Sequence, residues 1–452
     1  MTAHADPASP ATRRWSALDT AAGGLALDLA LYAAATVFAG ITAATSTLPP
    51  HRAWGAVATI GYALATLAAA TQLLARRRAP GTPLAGVPAR WAVTGLTWAT
   101  TALLPVVLQS VQRAAGRTDR AQEEVVVVEH AGTRLAEHGT PYLGPDAIAA
   151  LPPGEQLLGY TPYQPGMALF GLPRAATDVW WTDARVWFAV ATALALAALV
   201  TTLRSTTDEP DSPRRGGALL RAVQAATVLP VSALTLATGG DDLPVLALCL
   251  LALALAAADR PGRAGLAVGA AGTLKLFALP VAIVLICWAA ARRAGTRTAL
   301  GALGLPVLAL LPVLLVDSDA LVENVLRFPL GHGLVTSPAQ SPFPGHLIAE
   351  TLPAGRVVAA ALLVAVGLAI AVRLLRRPPR TAAATATICG YGLLAAILLM
   401  PSTRFGYLLY PAALLLLAPA LALAESPARD TGRPTFPPTA RREPAERRTP
   451  EA

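Results

Sequence analysis

The chain has 452 residues, of which 54% are hydrophobic and only 14% are charged, and its formal net charge is +9. A soluble domain carries about 25% charged residues, so the composition argues against a soluble protein, and repeated apolar runs of roughly 20 residues predict several membrane spans. Because the arginines concentrate in short loops and at the C-terminus, the positive charge indicates membrane topology; we expect membrane lipids as partners and no nucleic acid.

Eleven apolar runs follow a polar N-terminal tail. They are 22–46, 54–75, 90–109, 183–203, 218–238, 243–258, 264–290, 299–316, 355–375, 383–400 and 405–424. We therefore predict an all-α polytopic fold with roughly 11–13 membrane segments. The expected organisation is a cytoplasmic tail over 1–21, a transmembrane domain over 22–425 and a disordered cytoplasmic tail over 426–452. All three cysteines lie in apolar runs, where each is most simply a small hydrophobic residue: Cys249, Cys287 and Cys389.

Arginine clusters alternate with acidic or aromatic loops along the chain. By the positive-inside rule the arginines face the cytoplasm, which leaves two long loops, 110–182 and 317–354, on the outer side. This alternation fails after residue 263 if 264–290 is one span. It is restored if 264–290 is a broken or re-entrant hairpin that turns near Lys275, since two short half-helices reach only part-way through a bilayer.

Lys275 is the only lysine of the chain, and it lies within an apolar stretch. A charged side chain at the centre of a bilayer costs about 2.5–3.5 kcal/mol on insertion scales. Such a residue is tolerated where it faces a watery cavity or an anion, and a lysine is a compact phosphate-binding charge. The simpler alternative is a lysine that extends to the interface from a helix end; the apolar sequence on both sides favours a functional role.

Two pairs of carboxylates lie at predicted outer ends of spans. Glu123 and Glu124 follow the third span, and Asp241 and Asp242 occupy a tight Gly-Gly-Asp-Asp turn between two spans. A carboxylate that is partly desolvated at such a boundary suits a general base. Each could instead cap a helix or be a solvated loop residue. Glu124, Glu123 and Asp242 are the candidate catalytic residues, and Asp241 a candidate substrate-binding residue.

Basic and aromatic side chains also gather on the predicted outer segments. Lys275, Arg327 and Arg404 could hold a phosphate and stabilise it as it departs, although a single arginine there could equally mark the headgroup region. Tyr142, Tyr163 and His346 are candidate substrate-binding residues, although aromatic residues are enriched at membrane interfaces for other reasons. No metal-ligand spacing and no Gly-rich phosphate loop is visible, so we expect no metal and no cofactor.

The stretch from Glu124 to Tyr142 resembles the first outer loop of bacterial, notably actinobacterial, GT-C-class mannosyltransferases, which use polyprenyl-phosphate-mannose. An acidic residue after a span precedes an amphipathic helix, then Gly139-Thr-Pro-Tyr142 and an aromatic-proline segment, 160–165. The region 239–293 is also similar, with a Gly-polar turn, a short span, the lysine and a basic inner loop. The base of that family is usually Asp, whereas Glu124 stands here, so Glu123, Asp241 and Asp242 stay open as alternatives.

This resemblance implies a GT-C-like helical bundle and a hexosyltransferase of the cell membrane with its active site on the extracytoplasmic face. The expected donor is a polyprenyl-phosphate sugar, with mannose as the expected sugar, and the expected acceptor is an extracytoplasmic glycan or lipid of the cell envelope. An inverting displacement would use Glu124 as the base. The alternatives are a transporter or flippase for a lipid-linked or small anionic substrate, which a broken helix with a buried lysine also fits, and a structural assembly factor.

Overall fold

The structure is a computed structural model in which residues 19–206 and 212–426 are described. The predicted tails up to residue 18 and from residue 427 lie outside the described residues. Throughout the described part the chain forms helices and turns, and its only β-type pairing is one isolated bridge between Gln340 and Thr403. The predicted all-α polytopic fold is therefore confirmed.

Nineteen α-helices, counted over the described ranges, make up the fold. In chain order they are α1 Leu25–Thr45, α2 Pro49–Arg78, α3 Val87–Ala114 with an internal π-helical turn, α4 Glu123–His138, α5 Pro145–Ala149, α6 Gln156–Gly159, α7 Leu172–Ala176, α8 Ala184–Arg204, α9 Pro213–Thr227, α10 Pro230–Thr238, α11 Asp242–Ala257, α12 Pro261–Gly272, α13 Leu279–Ala290, α14 Gly295–Val316, α15 Ser318–Val322, α16 Pro344–Thr351, α17 Gly355–Arg376, α18 Ala382–Leu399 and α19 Leu409–Glu425.

All eleven predicted apolar runs are helical, but they differ in length. Eight helices of the described residues are long and apolar enough to cross a membrane. The run predicted as one span over 218–238 is instead a pair, α9 and α10, bent by 42°. The bend falls before Pro230, which has no amide hydrogen to continue the helix. Helix α11 and the hairpin helices are shorter than a full span.

The predicted broken hairpin over 264–290 is confirmed. Helices α12 and α13 are separated by a break that contains Lys275. The start of α12 and the end of α13 lie at the same level of the bundle, because Arg292 Nη1 lies 3.3 Å from Asp259 Oδ1. Helix α12 also packs closely on α14, where a Cβ added at Gly269 would lie 2.1 Å from the Gly301 carbonyl oxygen. At about 1.5 Å per residue each arm is only some 18 Å long, so the lysine lies within the bundle.

Helix α11 is the centre of the bundle, and nearly all of its side chains are buried. By contrast, only 11% of the apolar window of α17 and 22% of that of α14 are buried, as expected for helices that face lipid. A charge placed at the end of α11 is therefore surrounded by protein. The turn before α11 therefore places its charged residues inside the bundle.

Both long loops pack against the same end of the bundle as that turn. From the first loop, Gln164 N donates to the Leu274 carbonyl at the tip of the hairpin, at 3.0 Å. From the second, Ser341 N donates to the Thr403 carbonyl at 2.9 Å. The arginine-rich connections lie at the opposite ends of the same helices. The alternation of the two sides predicted from the arginines thus agrees with the architecture.

One arginine near the arginine-rich end is buried and ion-paired rather than exposed. Arg90 is buried, and its Nε donates to Asp28 Oδ2 at 2.6 Å. Arg221 donates to the other oxygen of Asp28 at 2.8 Å, and Gln224 joins the same group. This network connects α1, α3 and α9 near the arginine-rich end. Its members are up to 196 residues apart in the chain, so no local pattern indicates it.

Candidate functional site

The Gly-Gly-Asp-Asp turn presents two adjacent carboxylates at the N-terminus of α11. Gly240 has φ +92°, and a Cβ there would lie 2.8 Å from Phe188 Cδ2, so both the backbone conformation and the available space require glycine. Asp241 is the N-cap residue of α11 and Asp242 is its first residue. The two residues are 3% and 5% exposed. The helix dipole favours negative charge at this position, but burial requires a positive partner.

Lys275 is that partner. Its Nζ lies 2.7 Å from Asp241 Oδ2 and 2.7 Å from Asp242 Oδ1. The lysine is 8% exposed, so it does not extend to a membrane interface. It donates a hydrogen bond to Asp242, whereas Asp241 Oδ2 has an ionic contact but no hydrogen bond of normal geometry among the described residues. The hairpin thus brings its single ammonium group to two carboxylates more than 30 residues upstream.

Aromatic rings enclose this charge cluster. The ammonium of Lys275 lies 5.1 Å from the ring centroid of Tyr163 and 6.0 Å from that of Tyr407, which is the distance range of cation–π attraction. Tyr410 donates from its hydroxyl to Asp242 Oδ1 at 2.8 Å. Phe277, two residues after the lysine, packs on both Tyr407 and Tyr410. The rings exclude water and therefore strengthen the electrostatic contacts inside.

Glu124 and Arg404 form a second ion pair beside the turn. Glu124 lies in the first turn of α4, and Arg404 precedes the 3₁₀ turn Phe405–Leu408. A Cβ added at Gly239 would lie 4.0 Å from Glu124 Oε2, so the carboxylate borders the Gly-Gly-Asp-Asp turn. Their side chains are 15% and 31% exposed. This pair is therefore more accessible than the Asp241–Asp242–Lys275 cluster.

A search against protein-family models gives the class of this chain. The model described as glycosyltransferase family 87 matches residues 160–402, more than half of the sequence. The chain belongs to glycosyltransferase family 87. No curated protein and no solved structure matches it. The matched range contains the two aspartates and Lys275, while Glu124 precedes it and Arg404 follows it by two residues. With its apolar helices, the chain is a multi-pass membrane glycosyltransferase.

Other predicted site residues of this glycosyltransferase lie around the cluster rather than in it. Tyr142 is buried and supports the aromatic enclosure, because its hydroxyl donates to the Tyr163 carbonyl at 2.7 Å. Glu123 is exposed and has no ion pair among the described residues. Arg327 lies 3.6 Å from Glu323, and His346 Nδ1 lies 3.0 Å from the Pro401 carbonyl. No contact in the described ranges joins Arg327 or His346 to Lys275.

A buried ionic network beneath the site was not predicted. Glu129 of α4 is 5% exposed and pairs with Arg113 at 2.7 Å. Arg113 also binds Asp183 at 2.6 Å, and Asp183 binds Arg185 at 2.8 Å. Arg185 Nη1 then donates to the Ala237 carbonyl at 3.0 Å, in the last turn before Gly239. The network therefore holds the helix end that precedes the two aspartates.

Asp183 shows how strongly these charges interact. Burial alone would raise the pKa of its carboxyl, but the charges and hydrogen bonds of Arg185 and Arg113 outweigh burial and lower that pKa well below the usual 3.8. The group is therefore ionised in the folded protein. The sequence gives only a weak signal for this role, because Asp183 directly precedes α8, where an aspartate is expected as an N-cap in any case.

An apolar groove of about 530 Å³ adjoins the hairpin tip. Leu274, next to Lys275, forms one wall, and the others come from the first outer loop and α8. The remaining lining residues are Gly166, Leu169, Phe170, Leu172, Pro173 and Trp187. In the described part of the chain no three His, Cys, Asp or Glu side chains converge as metal ligands; the predicted independence from metals stays a prediction.

Proposed function

We propose that this protein transfers mannose from a polyprenyl-phosphate donor to a hydroxyl group of an extracytoplasmic glycan or lipid. Family membership supports the glycosyl transfer. The observation that carries the finer proposal is a partly accessible carboxylate, Glu124, that pairs with Arg404 and borders the turn whose aspartates bind Lys275, at the end of the bundle that bears both long loops. A base and phosphate-binding charges are the two requirements of a displacement at an anomeric carbon with a phosphate leaving group.

The proposed reaction is a single inverting displacement. Glu124 accepts the proton of the acceptor hydroxyl, and the acceptor oxygen forms a bond to the anomeric carbon. The bond between that carbon and the phosphate oxygen breaks, and the electron pair leaves with the polyprenyl phosphate. Arg404 and Lys275 stabilise the charge that the phosphate gains. Because this leaving group departs as an anion, the reaction requires no second carboxylate as a general acid.

The charge balance of the site links binding of the donor to activation of the base. Three carboxylates, Glu124, Asp241 and Asp242, face two cations, so the site carries excess negative charge before any ligand binds. A phosphate can enter only if a cation gives up one of its carboxylate contacts. Arg404 is the more exposed cation; if it turns to the phosphate, Glu124 loses its ionic partner and becomes the stronger base.

The apolar groove next to Leu274 suits the lipid part of the donor. Its walls are apolar, and one of them belongs to the residue that precedes Lys275. An isoprenoid chain lying there would place its phosphate near the ammonium group and its sugar near Glu124. Transport, the alternative interpretation, has no specific support in the described residues, since the polar groups at the candidate site gather at one end of the bundle.

The proposal is tested with membranes that contain the protein, radiolabelled polyprenyl-phosphate-mannose and a lipid extract as the source of acceptors. Glu124→Gln keeps the side-chain shape and removes the proton acceptor, and we expect transfer to fall about 10²–10⁴-fold while donor binding persists. Glu123→Gln is the matched control, since its carboxylate is exposed and unpaired in the described structure. Near-normal transfer by Glu124→Gln, with loss in Asp242→Asn or Glu123→Gln, would assign the base to the latter residue.

If wild-type membranes yield no labelled product from this donor, while another polyprenyl-phosphate sugar is transferred, the mannose assignment is wrong and the lipid-phosphate assignment stands. If only a nucleotide-sugar donor is used, both assignments fail.

A further inference from the structure

A second cavity lies at the arginine-rich end of the bundle, remote from the candidate active site. It has a volume of about 640 Å³ and is formed where α3 and α9 begin and where α8 and α19 end. Its walls are mostly apolar, with Val87, Leu203, Leu219 and Ala424 among them. Cavities of roughly 300–1,000 Å³ are the size class of small-molecule sites.

The cavity also has a cationic rim. Arg204, the last residue of α8, and Arg215, in the first turn of α9, both line it. Neither guanidinium has a carboxylate partner within the described ranges. This sets them apart from Arg90 and Arg221 nearby, which are buried against Asp28. Two unpaired arginines at one opening make a site for an anion.

Trp91 supplies a third polar feature. The guanidinium of Arg204 lies 5.5 Å from the centroid of its ring, which fixes the arginine over the cavity wall. Trp91 itself lines the cavity, and its Nε1 has no hydrogen-bond acceptor among the described residues. The two arginines are the charged groups of the cavity lining, and none of its described lining residues is acidic.

From these features we propose that the cavity binds an anionic glycerophospholipid of the adjacent leaflet. The phosphate would lie between Arg204 and Arg215, at the N-terminus of α9 where backbone amides also favour an anion. One acyl chain would lie along the apolar walls. The apolar walls distinguish this ligand from a soluble anion, which needs only the arginines. Basic pockets between helices on the positively charged side of a membrane protein are suited to such headgroups.

The test is native mass spectrometry of the purified protein titrated with phosphatidylglycerol, with phosphatidylcholine in a parallel titration. Arg204→Gln combined with Arg215→Gln should weaken phosphatidylglycerol binding about thirty-fold, since each arginine near an anionic lipid contributes roughly five-fold. Arg77→Gln combined with Arg376→Gln is the matched control: both residues are exposed at the same end and do not line this cavity. We expect the control to bind as the wild type does.

A second variant keeps both arginines and reduces the volume of the cavity. Ala424→Trp fills the cavity from α19, and we expect it to release the lipid although the charge is unchanged. Equal binding by the Arg204/Arg215 and Arg77/Arg376 variants would overturn the proposal. If the Arg204/Arg215 variant does not fold, unchanged binding by Ala424→Trp overturns it instead. Inorganic phosphate that competes fully with phosphatidylglycerol would assign the site to a soluble anion and also refute the lipid.

Discussion

The cluster of Lys275, Asp241 and Asp242 leads to a specific prediction about stability. Replacing the lysine by methionine, which is apolar and of similar length, removes a buried charge and should by itself favour insertion into the membrane. In the folded protein it leaves two adjacent carboxylates buried without a cation. We therefore expect Lys275→Met to be strongly destabilised rather than neutral.

The magnitude follows from the two contacts of the lysine. At 2.7 Å each, the Coulomb attraction is about 6 kcal/mol per pair at an effective dielectric constant of about 20. Desolvation of the charges offsets much of this gain, and a proton shared by the orphaned carboxyl groups relieves part of the loss. Removing one partner of a buried ion pair typically costs about 3–5 kcal/mol, and this is the loss that we expect for Lys275→Met.

The assay is thermal unfolding of the detergent-purified protein, followed by tryptophan fluorescence. The decisive comparison is a triple variant, Asp241→Asn, Asp242→Asn and Lys275→Met, in which all three charges are absent. Replacing a whole buried ionic group is often nearly neutral, so the triple variant should regain most of the lost stability while transfer stays abolished. A Lys275→Met protein as stable as the wild type would refute the electrostatic account of the cluster.

Three further predictions concern the surroundings of the site. Gly240→Ala should lower stability by about 1–3 kcal/mol, because its backbone is left-handed and its Cβ would overlap Phe188; Gly262→Ala, with open space around it, is the control in the same unfolding assay. Because Asp183 has a lowered pKa, its stabilising contribution is complete above pH 3.8 and is lost as the pH falls below that value. Asp183→Asn should be less stable at neutral pH and show a shallower loss on acidification, and parallel acid-unfolding curves of the two proteins would contradict this. In a background without native cysteines, Gly154→Cys should react with an impermeant maleimide on intact cells, and Ala79→Cys only after permeabilisation; the reverse pattern would invert the orientation and remove the argument for an extracytoplasmic site.

Much of the fold could be predicted from the sequence because membrane helices are encoded locally. Apolar runs of sufficient length specify spans, and arginine positions specify which ends share a side. The hairpin over 264–290 was predicted from that alternation alone. The bend before Pro230 was missed, although the proline is a local signal, because hydropathy continues without interruption across residues 218–238. The short helices of the long loops have no comparable signal.

The site was only partly predictable, since its contacts join distant parts of the chain. Lys275, Asp241 and Asp242 each stand out locally, as charges in apolar surroundings. Their pairing depends on the hairpin returning its tip to the end of α11, which composition does not specify. For the same reason the sequence predicted that Lys275 and an arginine act together on a phosphate. In the structure Lys275 instead pairs with Asp241 and Asp242, and Arg404 pairs with Glu124. The roles in the reaction stay predictions.

Three buried ionic groups in the described part of the chain differ in one respect that bears on function. Asp28 is held by Arg90 and Arg221, and Asp183 by Arg113 and Arg185, so each of these carboxylates faces two arginines. At the turn before α11 the ratio is reversed, with two carboxylates facing one lysine. A buried charge needs a partner of opposite sign, and here one ammonium group serves two carboxylates. The first two groups therefore connect helices, and we expect the third, with its excess of carboxylates, to be the one that exchanges partners when a ligand binds.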